Sequence, residues 1–221
     1  MAEEPIKPNP PVNSAEVEAL KETVKRLEEN FSKKITLINK DILNLNENFL
    51  SNEELIVFGN LPYNISTEIL CKWILNLNDK KIWFKSLILM FQKEVANRIT
   101  SNFNTSDYGR LSILTNWKLN VKKIFDIKPS CFSPKPKVDS TLLFFTPKKE
   151  FLRLKNPLSL EKITRIFFSH RRKMIKKPFK QLFSRNSNLS NELNINLNLG
   201  PQNLSFETYY KLANEYEKLT S

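Results

Sequence analysis

Along residues 17 to 31 the apolar side chains Val17, Leu20, Val24, Leu27 and Phe31 recur at spacings of three and four, which predicts one buried helix face. Ser14 stands in the cap position, with Glu16 in the first turn. The period then shortens. "ITLIN", residues 35 to 39, reads as a short buried strand leading into Asp41, and "LIVF", residues 55 to 58, reads as a second. Thr67 to Leu77 returns to helical spacing, and Leu87 to Phe91 is a further strand. "KEVANRITS" predicts a helix with a basic side. After Lys118 the pattern favours strands, interrupted by the proline-rich loop "KPSCFSPKPKVDS" at residues 128 to 140. "STLLFFTP" is a strand that meets apolar surroundings on both faces. Beyond about residue 150 only helical periodicity and charge remain, as in "LEKITRIFFSHRRKMIKKPFKQLF".

Alternating strands and helices before residue 117 predict an α/β domain with a parallel, doubly wound sheet. The organisation expected is therefore a proline-rich, disordered tail over 1–13, an α/β domain over 14–150, and a small helical domain over 151–221. A chain of 221 residues suffices for one domain with an appendage.

Charge narrows the partners. Lys plus Arg number 35 against 23 Asp plus Glu, a net charge of +12, which favours a polyanion. Nucleic acid is the commonest such partner and an anionic membrane surface is the rival. No apolar run reaches the roughly 18 residues of a membrane span, and the N-terminus is too acidic and proline-rich for a signal peptide. A cytoplasmic protein with no membrane partner is expected. The two cysteines, Cys71 and Cys131, lack metal-binding spacing, and there is a single histidine, His170. Free thiols used in packing, and no metal site, follow from that.

The candidate chemistry sits where "LIVF" ends, in "FGNLPYNIS". In a doubly wound sheet, ligands bind beyond the carboxyl ends of the strands. A planar exocyclic amine, such as that of adenine, has its lone pair conjugated into the ring. The amide oxygen of Asn60 and a backbone carbonyl at Leu61 or Pro62 can each accept one of its N–H groups. That arrangement favours a pyramidal nitrogen with its lone pair aimed at an electrophile. Pro62 fixes the turn. Tyr63 offers a face on which an extruded base stacks, worth about 1–3 kcal/mol.

The segments "GNLPYNIST", "QKEVANRI", "DYGRLSIL", "CFSPKPKVDSTLLFF" and "FFSHRRK" occur in this order. Together, from about Phe31 to Leu219, they resemble the ribosomal RNA adenine N6,N6-dimethyltransferase family. The resemblance implies a Rossmann-like class I methyltransferase, S-adenosylmethionine as cofactor, and methyl transfer to two neighbouring adenines in a loop of small-subunit ribosomal RNA. By the same resemblance, Asn60, Leu61, Pro62 and Tyr63 form the target-amine motif. Phe132 covers the base from the other side. Asp41, with Ile42 beside it, contacts the cofactor together with Asn60. Lys93, Arg98, Tyr108, Arg110, Lys135, Lys137, Arg171, Arg172 and Lys173 form a track for RNA phosphates, which orient RNA without reading its sequence.

The family's glycine-rich cofactor turn has no counterpart. The three glycines are Gly59, Gly109 and Gly200, and none precedes residue 59. The expected sheet thus lacks its first two strands, and "LIVF" becomes an open edge that invites a partner chain supplying them. The alternative function is a non-catalytic RNA-binding or ribosome-assembly factor derived from the same family. A nucleic-acid-binding relative serving transcription is a third class, which no feature of the sequence favours. The partner in the first two readings is small-subunit ribosomal RNA or a pre-ribosomal subunit.

Overall fold

The structure, a computed structural model, describes residues 38–47, 50, 51, 53–77, 82–184, 186 and 188–220, with residue 36 and positions within 15–26. The chain divides into two compact units, residues 1–44 and 45–221.

In the first unit, positions 15, 18, 19, 21–23, 25 and 26 are helical and exposed. They are the polar side of the expected helix. Its apolar positions, Val17, Leu20, Val24, Leu27 and Phe31, and the tail over 1–13 lie outside the described residues. Thr36, Ile38 and Asn39 carry no strand, so the strand expected over 35–39 is absent at each of its described positions. The chain turns there instead. The Asp41 carboxylate accepts the Leu43 amide at 2.9 Å and the Asn44 side-chain amide at 2.8 Å, and the Asp41 carbonyl accepts the Asn44 amide at 3.0 Å. Local hydrogen bonding of this kind is why aspartate favours turns over strands.

The second unit opens its regular structure with β1 (Leu55–Asn60), α1 (Ser66–Asn76) and β2 (Phe84–Gln92). Then come α2 (Lys93–Thr100), α3 (Arg110–Lys118), β3 (Leu119–Ile127) and β4 (Ser140–Pro147). Four helices follow: α4 (Leu158–Phe168), α5 (Lys176–Phe183), α6 (Leu189–Glu192) and α7 (Phe206–Thr220). The strands after β1 and the helices α1 and α2 fall where the pattern of the sequence puts them. Residues 45–221 are one compact unit, in which the strands end at Pro147 and only helices follow Leu158.

The described sheet has four strands in the order β1-β2-β4-β3. Only β1 and β2 are parallel, joined through α1 as a parallel crossover requires. β4 pairs antiparallel with both β2 and β3. The parallel pairing expected before residue 117 is present in β1 and β2, and the two strands after Lys118 make the sheet mixed. The loop after β3 carries a 3-10 turn and no crossover helix, and it returns the chain as an antiparallel neighbour.

β2 and β4 form the interior. Leu87, Leu89, Phe91, Leu143 and Phe145 are fully buried, and the Phe91 and Phe145 rings meet edge to face at 6.1 Å. β1 is an edge among the described strands, and its Ile56 and Phe58 are exposed, Phe58 by 75%. Behind the sheet, Trp117 of α3 is buried and donates its indole N–H to the Leu152 carbonyl at 2.8 Å.

Glu217 of α7 ties the helices to the strands. It is buried, and its carboxylate accepts the Lys155 amide at 2.9 Å and the Asn156 amide at 2.7 Å, just before α4. Glu217→Ala removes the acceptor of both amides and the buried carboxylate that holds this passage to α7. A loss of about 2–4 kcal/mol of stability is expected, measured by urea unfolding.

Candidate active site

Asn60 is the last residue of β1, opposite Met90 of β2, at the carboxyl end of the parallel pair. Gly59 precedes it for a packing reason. A Cβ there would lie 2.7 Å from a Leu89 side-chain carbon, so the parallel strands approach closely only without one. The Asn60 amide is exposed and has no hydrogen-bond partner among the described residues. After it the chain turns at once. The Pro62 carbonyl accepts the Ile65 amide at 3.1 Å, and Ser66 donates its hydroxyl to the Tyr63 carbonyl at 3.1 Å. That turn occupies the Pro62 carbonyl and does not use the carbonyl of Leu61. Of the two candidates left open by the sequence, Leu61 is therefore the better-placed acceptor beside Asn60.

The 3-10 turn Pro129–Cys131 delivers Phe132 to the same place. Asn60, Leu61, Pro62 and Tyr63 form one side of a cavity of about 370 Å³, and Phe132, Ser133, Pro134 and Pro136 form the other. That volume falls within the roughly 300–1,000 Å³ of ligand pockets. Among the described residues no carboxylate, histidine or lysine lines it. The residues that the sequence singled out at the two ends of 70-odd residues of chain thus converge on one concavity. It offers two planar side chains, an unpartnered amide and a free carbonyl, which suits an aromatic amine.

The basic positions divide. Arg98, Arg110 and Arg171 line a second cavity of about 530 Å³, together with Glu68, Asp107 and Cys71. Arg110 also reaches Glu161 at 3.4 Å, and Arg171 donates to the Ser106 carbonyl. Lys135 and Lys137 are exposed on the proline-rich loop. Arg172 and Lys173 are exposed in the turn after α4, not on a basic helix, because the helix ends at Phe168 and Lys173 turns back to the His170 carbonyl at 2.8 Å.

Two of the expected RNA contacts already have partners within the chain. Tyr108 is fully buried, donates its hydroxyl to the Leu204 carbonyl at 2.9 Å, and packs on Phe168 and Phe206. Burial raises its pKa well above the ordinary phenol range. It is a core residue, with its ring packed between Phe168 of α4 and Phe206 of α7. Lys93 is held between Asp126 at 3.2 Å and Asp139 at 3.6 Å, so two carboxylates already meet its charge. Hydrogen bonds from Lys123, Thr141 and Lys93 hold the Asp126 carboxyl well below its ordinary range.

Both cysteines are free. Burial pushes the Cys71 thiol up to about 11, which keeps it protonated and inert. Cys131 is exposed, contrary to the expected packing role, because the 3-10 turn points it outward beside Phe132. No group of His, Cys, Asp or Glu among the described residues is arranged to hold a metal, and no described helix is long and apolar enough to cross a membrane.

A residue the sequence reading passed over completes the site. Ser140, the first residue of β4, is fully buried and hydrogen-bonds the Tyr63 hydroxyl through its Oγ at 2.6 Å. Its only sequence signal is a place at the end of "SPKPKVDS", eight residues past Phe132.

The domain is a mixed α/β sheet with an uncommitted Asn60 side chain at the carboxyl end of its parallel strand pair. The ribosomal RNA adenine dimethylase family matches residues 12–218, and the chain belongs to that family. It is 62% identical over 193 residues to the ribosomal RNA small subunit methyltransferase A of Pelagibacter ubique (strain HTCC1062), covering 87% of this chain and 73% of the relative. It is 40% identical to the same-named protein of Ehrlichia canis (strain Jake), over 86% of this chain and 71% of that one. Among solved structures it is similar to a dimethyladenosine transferase from Plasmodium falciparum, with a TM-score of 0.69 and 25% identity, covering 91% of this chain and 79% of the other.

The family implies S-adenosylmethionine, and the described residues fit only part of it. Asn60 is open to a ligand. Gly59 is explained by its contact with Leu89. Asp41, the expected contact for the cofactor's adenine, spends its carboxylate on its own turn, and Ile42 lies within that turn.

Proposed function

We propose that this chain receives adenines of small-subunit ribosomal RNA in the cavity between Asn60–Tyr63 and Phe132, where N6 accepts methyl groups from S-adenosylmethionine. The convergence of the corner at the end of β1 with Phe132 carries the reading. Membership in the family and the name of the Pelagibacter relative support it.

The chemistry follows from the acceptors. The Asn60 oxygen takes one N–H of the amine and the Leu61 carbonyl takes the other. Both bonds strengthen as the nitrogen becomes pyramidal and positive, which is differential binding of the transition state. Tyr63 and Phe132 hold the base between two ring faces. The proton released from the alkylated nitrogen goes to water, since no titrating base lines the cavity. Arg98, Arg110, Arg171, Arg172, Lys135 and Lys137 contact phosphates, and Lys173 adds a further charge.

Arg172 and Lys173 are exposed and serve no described ion pair, so they test the phosphate track without disturbing the fold. Arg172→Ala with Lys173→Ala should flatten the slope of log affinity against log salt by about 1.5 units, the worth of two phosphate contacts. Filter binding across a salt series measures it, and an unchanged slope places the RNA elsewhere.

A second reading, an RNA-binding assembly factor without transfer, rests on the net charge of +12 and the exposed basic positions, which both readings use. Labelled S-adenosylmethionine with unmethylated small-subunit RNA separates the two. Incorporation supports transfer; tight RNA binding without incorporation supports the second reading.

A further inference from the structure

We infer that Ser140 is a positioning residue that fixes the Tyr63 ring as one wall of the base cavity, an inference that rests on the acceptor-site reading above. Tyr63 is half-buried, and its backbone is held by the turn through Ile65 and Ser66. Its hydroxyl is the far end of the ring, and the 2.6 Å bond to Ser140 Oγ pins that end. A ring held at both ends presents its face without losing freedom on stacking, which is the general gain of preorganisation.

Ser140 itself cannot drift. It pairs with Gln92 of β2 on one side and Ile127 of β3 on the other, and it is fully buried. Both neighbours are tied down as well. The Asp139 carbonyl accepts the Lys93 amide at 2.9 Å, and Thr141 donates its hydroxyl to Asp126 at 2.7 Å. The same strand start also ends the loop that carries Phe132. One buried residue therefore sets the relation between the two ring walls, Tyr63 through a hydrogen bond and Phe132 through the chain.

The test uses RNA bearing 8-azidoadenine at the paired target adenines, irradiated on the full chain and mapped by mass spectrometry. Ser140→Ala should lower the crosslink yield at Tyr63 about five- to tenfold, the worth of one hydrogen bond, while the yield at Phe132 changes less than twofold. Tyr63→Phe keeps the ring and loses the bond, so it should give the same shift in partition. The double variant should be no worse than either single one, because both remove one interaction. RNA affinity of Ser140→Ala should stay near wild type, since phosphate contacts dominate it, and a loss of the folded domain would not allow that. Additive losses, or an unchanged partition in Ser140→Ala, overturn the inference. Wild-type crosslinks that avoid both rings overturn the acceptor-site reading, and this inference with it.

Discussion

Asn60→Ala should cut methyl transfer by about 10²–10³-fold, the effect of removing one preorganised hydrogen-bonding group aimed at developing charge. RNA affinity should change less than twofold. Asn60 stands at the end of β1 with its amide uncommitted, so its removal disturbs no interaction of the fold. Its oxygen is needed most when the adenine amine pyramidalises, and little before. Phosphate contacts dominate affinity, and they come from other residues. Labelled methyl incorporation beside filter binding reads the split. Equal losses in both would show that Asn60 holds the RNA in its ground state. Unchanged incorporation would remove it from the chemistry.

Trp117→Ala should cost about 3–5 kcal/mol, the usual price of deleting a large buried aromatic. The ring is fully buried on α3, meets Phe151 edge to face at 6.3 Å and lies under the Lys118 ammonium at 4.1 Å. Its indole donates to Leu152, in the passage from β4 to α4. The substitution opens a cavity and frees that passage at once. A domain with about 5–15 kcal/mol in hand then retains only part of its margin. Urea unfolding should show a lower midpoint. Trp117→Phe should recover part of the loss, since it restores most of the volume but not the bond to Leu152.

The strands and helices around the site were legible because their periods were clean. "LIVF", "STLLFFTP" and the helix after Asn60 announced themselves by spacing and by the glycine and proline that bound them. Phe132 and the Asn60 corner were legible only as separate motifs; their meeting in one cavity is a property of the sheet order. The orientation of β4 left no trace in the pattern, since a strand buried on both faces looks alike in either direction. "ITLIN" misled because its apolar run matches a strand while the turn that governs it begins two residues later, at Asp41, and closes on Asn44. Tyr108 misled for a related reason. A tyrosine beside glycine and arginine reads as a surface contact, and only packing against Phe168 and Phe206 reveals a core residue. Ser140 carried no signal, because a buried hydroxyl is functional only through the partner that the fold brings to it.

The central claim is that a target adenine enters the cavity between the Asn60–Tyr63 corner and Phe132. The measurement that tests it most directly is the crosslink map of the wild-type chain with small-subunit RNA carrying 8-azidoadenine at the two neighbouring target positions. It needs neither cofactor nor turnover. The account predicts crosslinks at Tyr63 and Phe132, competed away by the same RNA without the azide. Crosslinks confined to the helices after Leu158, with none at either ring, would contradict it.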